Sequence, residues 1–320
     1  MLVLRSLGLG ALLAAVPALR ALRRGLPDHE LVLAAPAALE PLVRLTGAVD
    51  RLLPHAGLEP LPWFGEPPRV AVNLHGSGPQ SHELLLATRP DRLVAFACGP
   101  AGHPGPPWDV DEHEARRWCR LIAEELGLPT DPRDLLLERP AVPAVAPGAL
   151  VVHPGAAYLS RRWPAERFAA VARTLAGAGH AVVLTGGPAE VDLVEAVRRE
   201  AGLSQEAVLA GRTDLAALAA QVASAALVVC GDTGVGHLAS AFGTASVLLF
   251  GPTAPSRWGP PPGGPHVVLW HGDGTGDPWG CDVDPALLRI GVQEVVEAAL
   301  SGLERRPARP AAGGTTPASA

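Results

Sequence analysis

The chain has 320 residues, 48% of them hydrophobic and 18% charged, with a formal net charge of −6; it is long enough to bury two cores and too acidic to track a nucleic-acid backbone. Lysine is absent, so any bound anion must be held by Arg, His, hydroxyls or backbone N–H groups. Cys98, Cys119, Cys230 and Cys281 are spaced too widely for a redox pair or a zinc knuckle and are expected to be free thiols in a reducing compartment.

The N-terminal half alternates short apolar runs with helical stretches. The predicted order is strand Leu2 to Arg5, helix Ala11 to Arg24, strand Leu31 to Ala34 and helix Pro36 to Leu45. Strand Val70 to Leu74, helix Ser81 to Thr88, strand Leu93 to Phe96 and helix Asp111 to Leu126 follow, the last with Asp111 and Glu114 as a capping box. Continuous apolar strands separated by helices indicate parallel sheets covered on both faces. The apolar run Leu7 to Leu19 resembles a signal-peptide core, but it follows a strand and continues into a basic helix, so a mature cytoplasmic start is expected. No run is long and uncharged enough to span a bilayer.

The proline-rich stretch Pro129 to Gly148 reads as a linker. Beyond it the pattern restarts with strand ALVVH, helix Pro164 to Ala176, strand AVVL, helix Ala189 to Ala201, strand AVLA, helix Asp214 to Ala223 and strand ALVVC. Strands SVLLF and HVVLW and a helix Pro285 to Leu300 complete it. The expected architecture is α/β, with two Rossmann-like doubly wound domains facing across a cleft: residues 1–148, residues 149–304, and a disordered tail over 305–320.

Polar and glycine residues cluster at the carboxyl ends of predicted strands, where open α/β sheets hold ligands. HPGAAYLSRRWP places Gly155 after a strand and Ser160 and Arg161 before a helix, so backbone N–H groups and a guanidinium fork can meet a diphosphate; a solvated arginine pair is the plainer reading. TGGPAE puts Glu190 where it can accept from a ribose or simply favour a helix N-terminus. GDTGVGH sets Asp232, Thr233, Gly234 and His237 at a strand-to-helix turn, where Asp232 or Thr233 serves equally well as a helix cap. In the first half Gly8 and Gly10 fill an acceptor-side turn whose spacing fits neither a dinucleotide fingerprint nor a P-loop. His75, just past a buried strand, and Asp109, in an aromatic-rich segment, are the candidate proton acceptors; each is also compatible with a purely structural role.

Taken in order, RSLGLGALLAAVPALRALRR, VNLHGSG, HPGAAYLSRRWP, VVLTGGPAE and CGDTGVGHLASAFGTASVLLFGPTAPSRWGP resemble glycosyltransferase family 9, the heptosyltransferase group. The resemblance implies the GT-B fold, an acceptor on the N-terminal domain and a nucleotide-sugar donor on the C-terminal one. Arg161, Glu190, Asp232, Thr233, Gly234 and His237 fall on its donor-binding positions. The family's proposed base, an Asp after the first glycine turn, corresponds here to Ala11, which cannot take a proton.

The implied activity is an inverting, metal-independent transfer of a sugar from a nucleoside diphosphate donor to a hydroxyl of a cell-envelope or lipid-linked glycan such as lipopolysaccharide. It needs no cofactor and no metal. The expected setting is a cytoplasmic monomer with peripheral contact at the inner face of the membrane and no nucleic-acid partner. The alternative raised by Ala11 is a catalytically impaired nucleotide-sugar-binding protein on the same scaffold. A nucleotide-sugar epimerase fits the motifs less well.

Overall fold

The computed structural model describes residues 1–305 of the 320, so all but the first residue of the expected tail lies outside the described residues. Two five-stranded parallel sheets form two α/β layers in series. In the first, β1 (Leu2–Leu4), β2 (Val32–Ala35), β3 (Arg51–Pro54), β4 (Val70–Asn73) and β5 (Arg92–Val94) are ordered β3-β2-β1-β4-β5. They alternate with α1 (Leu9–Gly25), α2 (Glu40–Leu45), α3 (Gln80–Leu86) and α4 (Glu114–Leu126). The second sheet, β10-β9-β8-β6-β7, contains β6 (Leu150–His153), β7 (Val182–Leu184), β8 (Leu227–Gly231), β9 (Ser246–Phe250) and β10 (His266–Trp270). Around it lie α5 (Ala165–Gly177), α6 (Val191–Ala201), α7 (Leu215–Ser224), α8 (Gly234–Phe242), α9 (Pro255–Trp258), α10 (Pro285–Arg289) and α11 (Val292–Glu304).

The central strands are apolar and buried end to end, as strands covered on both faces must be: every residue of β1, β2, β6, β8 and β9 is buried. Four details differ from expectation. The edge strand β3 was not foreseen, because Arg51 and Pro54 break the apolar run and its side chains stay partly or fully exposed. The AVLA segment contributes one parallel bridge, Val208 to Leu184, since the chain turns through 3-10 geometry at Gln205–Ala207 instead of extending. The last predicted helix is two, divided at Ile290 and Gly291, where Asp284 caps the first. The cap of α4 is His113, whose side chain accepts from the Ala115 N–H, and not Asp111.

One apolar cluster runs from the first domain into the second through Leu12, Val16 and Leu19 of α1, Trp118 of α4, Val222 of α7 and Val235 and Leu238 of α8. The domains are therefore joined by core packing in addition to the linker. Truncating a buried leucine such as Leu19 costs about 2–5 kcal/mol. The linker itself divides sharply: Arg20 of α1 bonds the Asp134 carboxylate and the Leu136 carbonyl, whereas the next residue, Leu137, donates to Ala241 of α8. Its later part stays with the second domain through Gln221 and Ala146.

All four cysteines are free, three buried and Cys281 exposed. Among the described residues no helix is long and apolar enough to cross a membrane.

Candidate functional site

The carboxyl ends of both sheets converge on the line where the domains meet. On the second domain, β8 ends at Gly231 and the chain enters α8 through Asp232 and Thr233. Thr233 occupies the N-cap position in extended geometry, yet its side chain makes no capping hydrogen bond. The plain capping role is thus not realised, and the first N–H groups of α8 keep the partial positive charge that attracts anions. Gly231 is required by close approach: a Cβ there would lie 3.0 Å from the Arg161 carbonyl.

The neighbouring turn after β6 distinguishes the two arginines. Arg162 is structural, its Nε donating to the Ala156 carbonyl at 2.7 Å. Arg161 stays uncommitted: its Nη1 is 3.9 Å from Asp232 Oδ2, its guanidinium lies over the Tyr158 ring at 5.2 Å, and its buried Nε has no partner among the described residues. Beside it the buried Ser160 hydroxyl is also unpartnered. A buried polar atom left unpaired is costly, so these two groups are chemically able to hold an anion. Asp232 is buried, which pushes its carboxyl up to about 6 against the opposing pull of Arg161 and the Thr253 hydroxyl. Near neutral pH it is mostly ionised, and its charge is set against the Arg161 guanidinium 3.9 Å away.

Glu190 is partly committed. Its Oε2 accepts the Gly187 N–H at 2.8 Å and its carboxylate lies against Gly155, where an added Cβ would fall 2.0 Å from Oε1. Gly155 therefore admits the carboxylate, and the pair forms one wall next to His153 and Thr185, whose Nδ1 and Oγ1 are 3.0 Å apart.

On the first domain, Gly8 and Gly10 flank the start of α1 with different roles. Gly8 is open, with nothing within 4 Å of an added Cβ, while Gly10 abuts His237, where an added Cβ would fall 2.6 Å from Cδ2 and 3.1 Å from Nε2. Likewise Leu9 fills the space beside Gly234, where an added Cβ would fall 2.8 Å from its side chain. The turn that opens α1 and the GDTGVGH turn thus touch. His113 reinforces the junction, its Nε2 donating to the Gly259 carbonyl at 3.0 Å.

His237 packs edge-on to Trp258, and burial, aided by His113, lowers its imidazole to about 4 despite the opposing Glu114. His75, two residues beyond β4, is lowered to about 4 by burial, Arg5 and His55, and its Nδ1 has no partner among the described residues. Asp109 is not brought to these groups by any recorded contact: it is exposed on the turn before α4, with its carboxylate accepting the Asp111 N–H.

Sequence reasoning missed a buried polar network beneath the acceptor-side turn. Arg5 is fully buried; it donates to the Ala11 carbonyl at 2.9 Å, to the Leu74 carbonyl and to Glu114 Oε1 at 2.9 Å. Glu114 also accepts from Arg117 and from Trp118 Nε1. Burial pushes the Glu114 carboxyl up, but Arg5, Arg117 and Trp118 together hold it below the ordinary value. The only sequence signal was an arginine closing an apolar strand, which demands a buried partner.

A cavity of about 1070 Å³ lies at the other end of the second sheet, between Ala225, Gly243 and Gly264 at the starts of its strands. Ligands of open α/β sheets bind at the opposite end, so this cavity is not the candidate site. Where the domains meet, the two voids lined by His237 and Trp258 measure only about 20 and 10 Å³. Among the described residues no group of three or more His, Cys, Asp or Glu is arranged to hold a metal ion.

Comparison with known proteins gives this geometry a context. The chain is 36% identical over 152 residues to lipopolysaccharide heptosyltransferase 1 of Pseudomonas aeruginosa, a match covering 46% of this chain and 42% of that protein. The matched segment thus spans less than half the length of that curated relative. The fold superposes on a glycosyl transferase family 9 structure from Veillonella parvula with a TM-score of 0.77 at 20% identity, covering 95% of this chain and 97% of that one. It also superposes on the E. coli heptosyltransferase WaaC with ADP, with a TM-score of 0.71 at 18% identity and coverage of 94% and 99%. These likenesses establish the GT-B arrangement of two Rossmann-like domains. The model of glycosyltransferase family 9 (heptosyltransferase) matches residues 107–271, just over half of the chain and inclusive of HPGAAYLSRRWP, TGGPAE and GDTGVGH, and the protein belongs to that family.

Proposed function

We propose that the protein transfers a sugar from a nucleoside diphosphate donor to a hydroxyl of a cell-envelope glycan, with inversion at the anomeric carbon and without a metal ion. The observation that carries this reading is the pair of unpartnered polar groups, Arg161 Nε and the Ser160 hydroxyl, in the turn after β6, with Arg161 Nη1 3.9 Å from Asp232 just before the uncapped start of α8. When the sugar departs, negative charge grows on the diphosphate, and donors fixed beforehand at that point stabilise it without reorganisation. Arg161 supplies the full positive charge, a lysine being nowhere in the chain. Ser160 and the first amides of α8 supply directed hydrogen bonds, and Glu190 lies along the same strand edge, where a ribose would extend.

ADP is the favoured nucleotide, on the strength of the related structure solved with it, and a heptose is the favoured sugar, on the name of the curated relative. The acceptor approaches from the first domain past Gly8, the open side of the turn. A second reading, donor binding without turnover, is favoured by Ala11, a side chain with no proton-accepting group at the start of α1. Incubating the protein with ADP-heptose and a heptose-deficient lipopolysaccharide core separates the two. Stoichiometric release of ADP with a glycosylated product of inverted anomeric configuration supports transfer. Saturable ADP binding without product from any tested core supports the binding reading.

A further inference from the structure

We infer that Tyr158 is a positioning residue for Arg161, its ring holding the guanidinium in the orientation in which it meets the diphosphate. The inference rests on the donor reading above and adds the side chain that presents its cation.

The pairing is built by the local backbone. Tyr158 is extended, with φ −122° and ψ 148°, and Leu159–Arg161 then turn through one 3-10 step. The Arg161 N–H donates to the Tyr158 carbonyl at 3.1 Å, closing that turn. Side chains three residues apart eclipse in 3-10 geometry, so positions 158 and 161 stand over one another. The side chains follow: Arg161 Cζ lies over the Tyr158 ring, 5.2 Å from its centroid. Arg162, one residue further on, falls outside this register and is committed to the Ala156 carbonyl at 2.7 Å. Tyr158 has no place in the core that would otherwise account for it. It is 40% exposed, and none of the three apolar clusters includes it.

Two contacts fix the guanidinium from different directions. The ring covers one face, and Asp232 Oδ2 stands 3.9 Å from Nη1, too far for a hydrogen bond but close enough to draw that end of the fork toward the start of α8. Neither contact uses up the Nε–H, which stays unpartnered among the described residues. A guanidinium suits this arrangement because its flat face can stack while every N–H remains in its plane; an ammonium has no such face. An arginine left free in solvent must give up rotamer freedom when it closes on an anion. A ring that orders it beforehand removes part of that cost from binding. Tyr158 therefore acts through Arg161 and needs no contact with the nucleotide.

The test measures the Kd of ADP and of adenosine by calorimetry for the parent, Tyr158→Ala, Tyr158→Phe, Arg161→Ala and the double variant Tyr158→Ala with Arg161→Ala. Tyr158→Ala is expected to weaken ADP by about 3–10-fold, the range of a partly exposed cation–π contact, and adenosine by less than about twofold. Tyr158→Phe keeps the ring and is expected to restore the affinity for ADP to within about twofold of the parent. In the Arg161→Ala background, removing the ring should change ADP affinity by less than about twofold, because residues that act as a unit are not additive. Equal losses of ADP and adenosine overturn the inference by placing the ring against the nucleoside. So does undiminished ADP affinity in Tyr158→Ala, a loss in Tyr158→Phe as large as in Tyr158→Ala, or a ring effect that persists without Arg161. Absence of ADP binding by the parent, or unchanged ADP affinity in Arg161→Ala, refutes the donor reading itself, a result distinct from all of these.

Discussion

Replacing Asp232 with Asn should stabilise the protein in a pH-dependent way, against the usual expectation for a residue at a ligand site. Burial raises the folded-state carboxyl from 3.8 to about 6. Between those values the folded chain binds more protons at this position than the unfolded chain does, so its stability falls as pH rises through the window. A shift of about two pH units at about 1.4 kcal/mol each gives a loss of about 3 kcal/mol, complete above about pH 6. Asparagine keeps the shape and never ionises. The variant should gain on the parent by about 3 kcal/mol between pH 4 and pH 7.5, or roughly 6–12 °C in Tm for domains of this size. His237 and His75, lowered to about 4, slope the opposite way, their stabilisation growing as pH rises from there toward 6.5. Both are present in parent and variant, so their effect cancels in the difference. Thermal unfolding of the two proteins across this range measures it. A gap that stays constant with pH, or a variant less stable than the parent at pH 7.5, refutes the claim that Asp232 is strained by burial.

Two further predictions concern the domain junction. Gly10→Ala should cost about 1–3 kcal/mol, because its Cβ would fall 2.6 Å from His237, whereas Gly8→Ala, with open space around it, should leave stability within about 0.5 kcal/mol; denaturant unfolding of both distinguishes them, and equal losses contradict the contact. Glu114→Gln should destabilise by about 3–5 kcal/mol, since it leaves the buried Arg5 and Arg117 charges uncompensated. Unchanged unfolding of that variant would show the network to be dispensable.

The strands and helices that form the two layers were legible because buried parallel strands leave continuous apolar runs. The edge strand β3 and the Val208 bridge were not, since each lacks such a run and is defined by its neighbour. The turns after β6 and β8 were legible as residue types in order, but the sequence could not separate Arg161 from Arg162; only the commitment of Arg162 to the Ala156 carbonyl does so. The first-domain turn was less legible still. Asp109 satisfied the chemistry of a base and its turn leaves it exposed, while His237 acquires its place against Gly10 only when the domains pack. The Arg5–Glu114 pair spans residues far apart in the chain, and its partner choice is a tertiary fact.

The central claim, that Arg161 and the α8 N-terminus form a diphosphate site, is tested most directly by calorimetric titration of the parent and Arg161→Ala with ADP and with adenosine. Charge-assisted hydrogen bonds contribute about 1.5–3 kcal/mol, so the account predicts a loss of roughly 10–100-fold in ADP affinity and little change for adenosine. Equal losses for both ligands, or no loss for ADP, would contradict it.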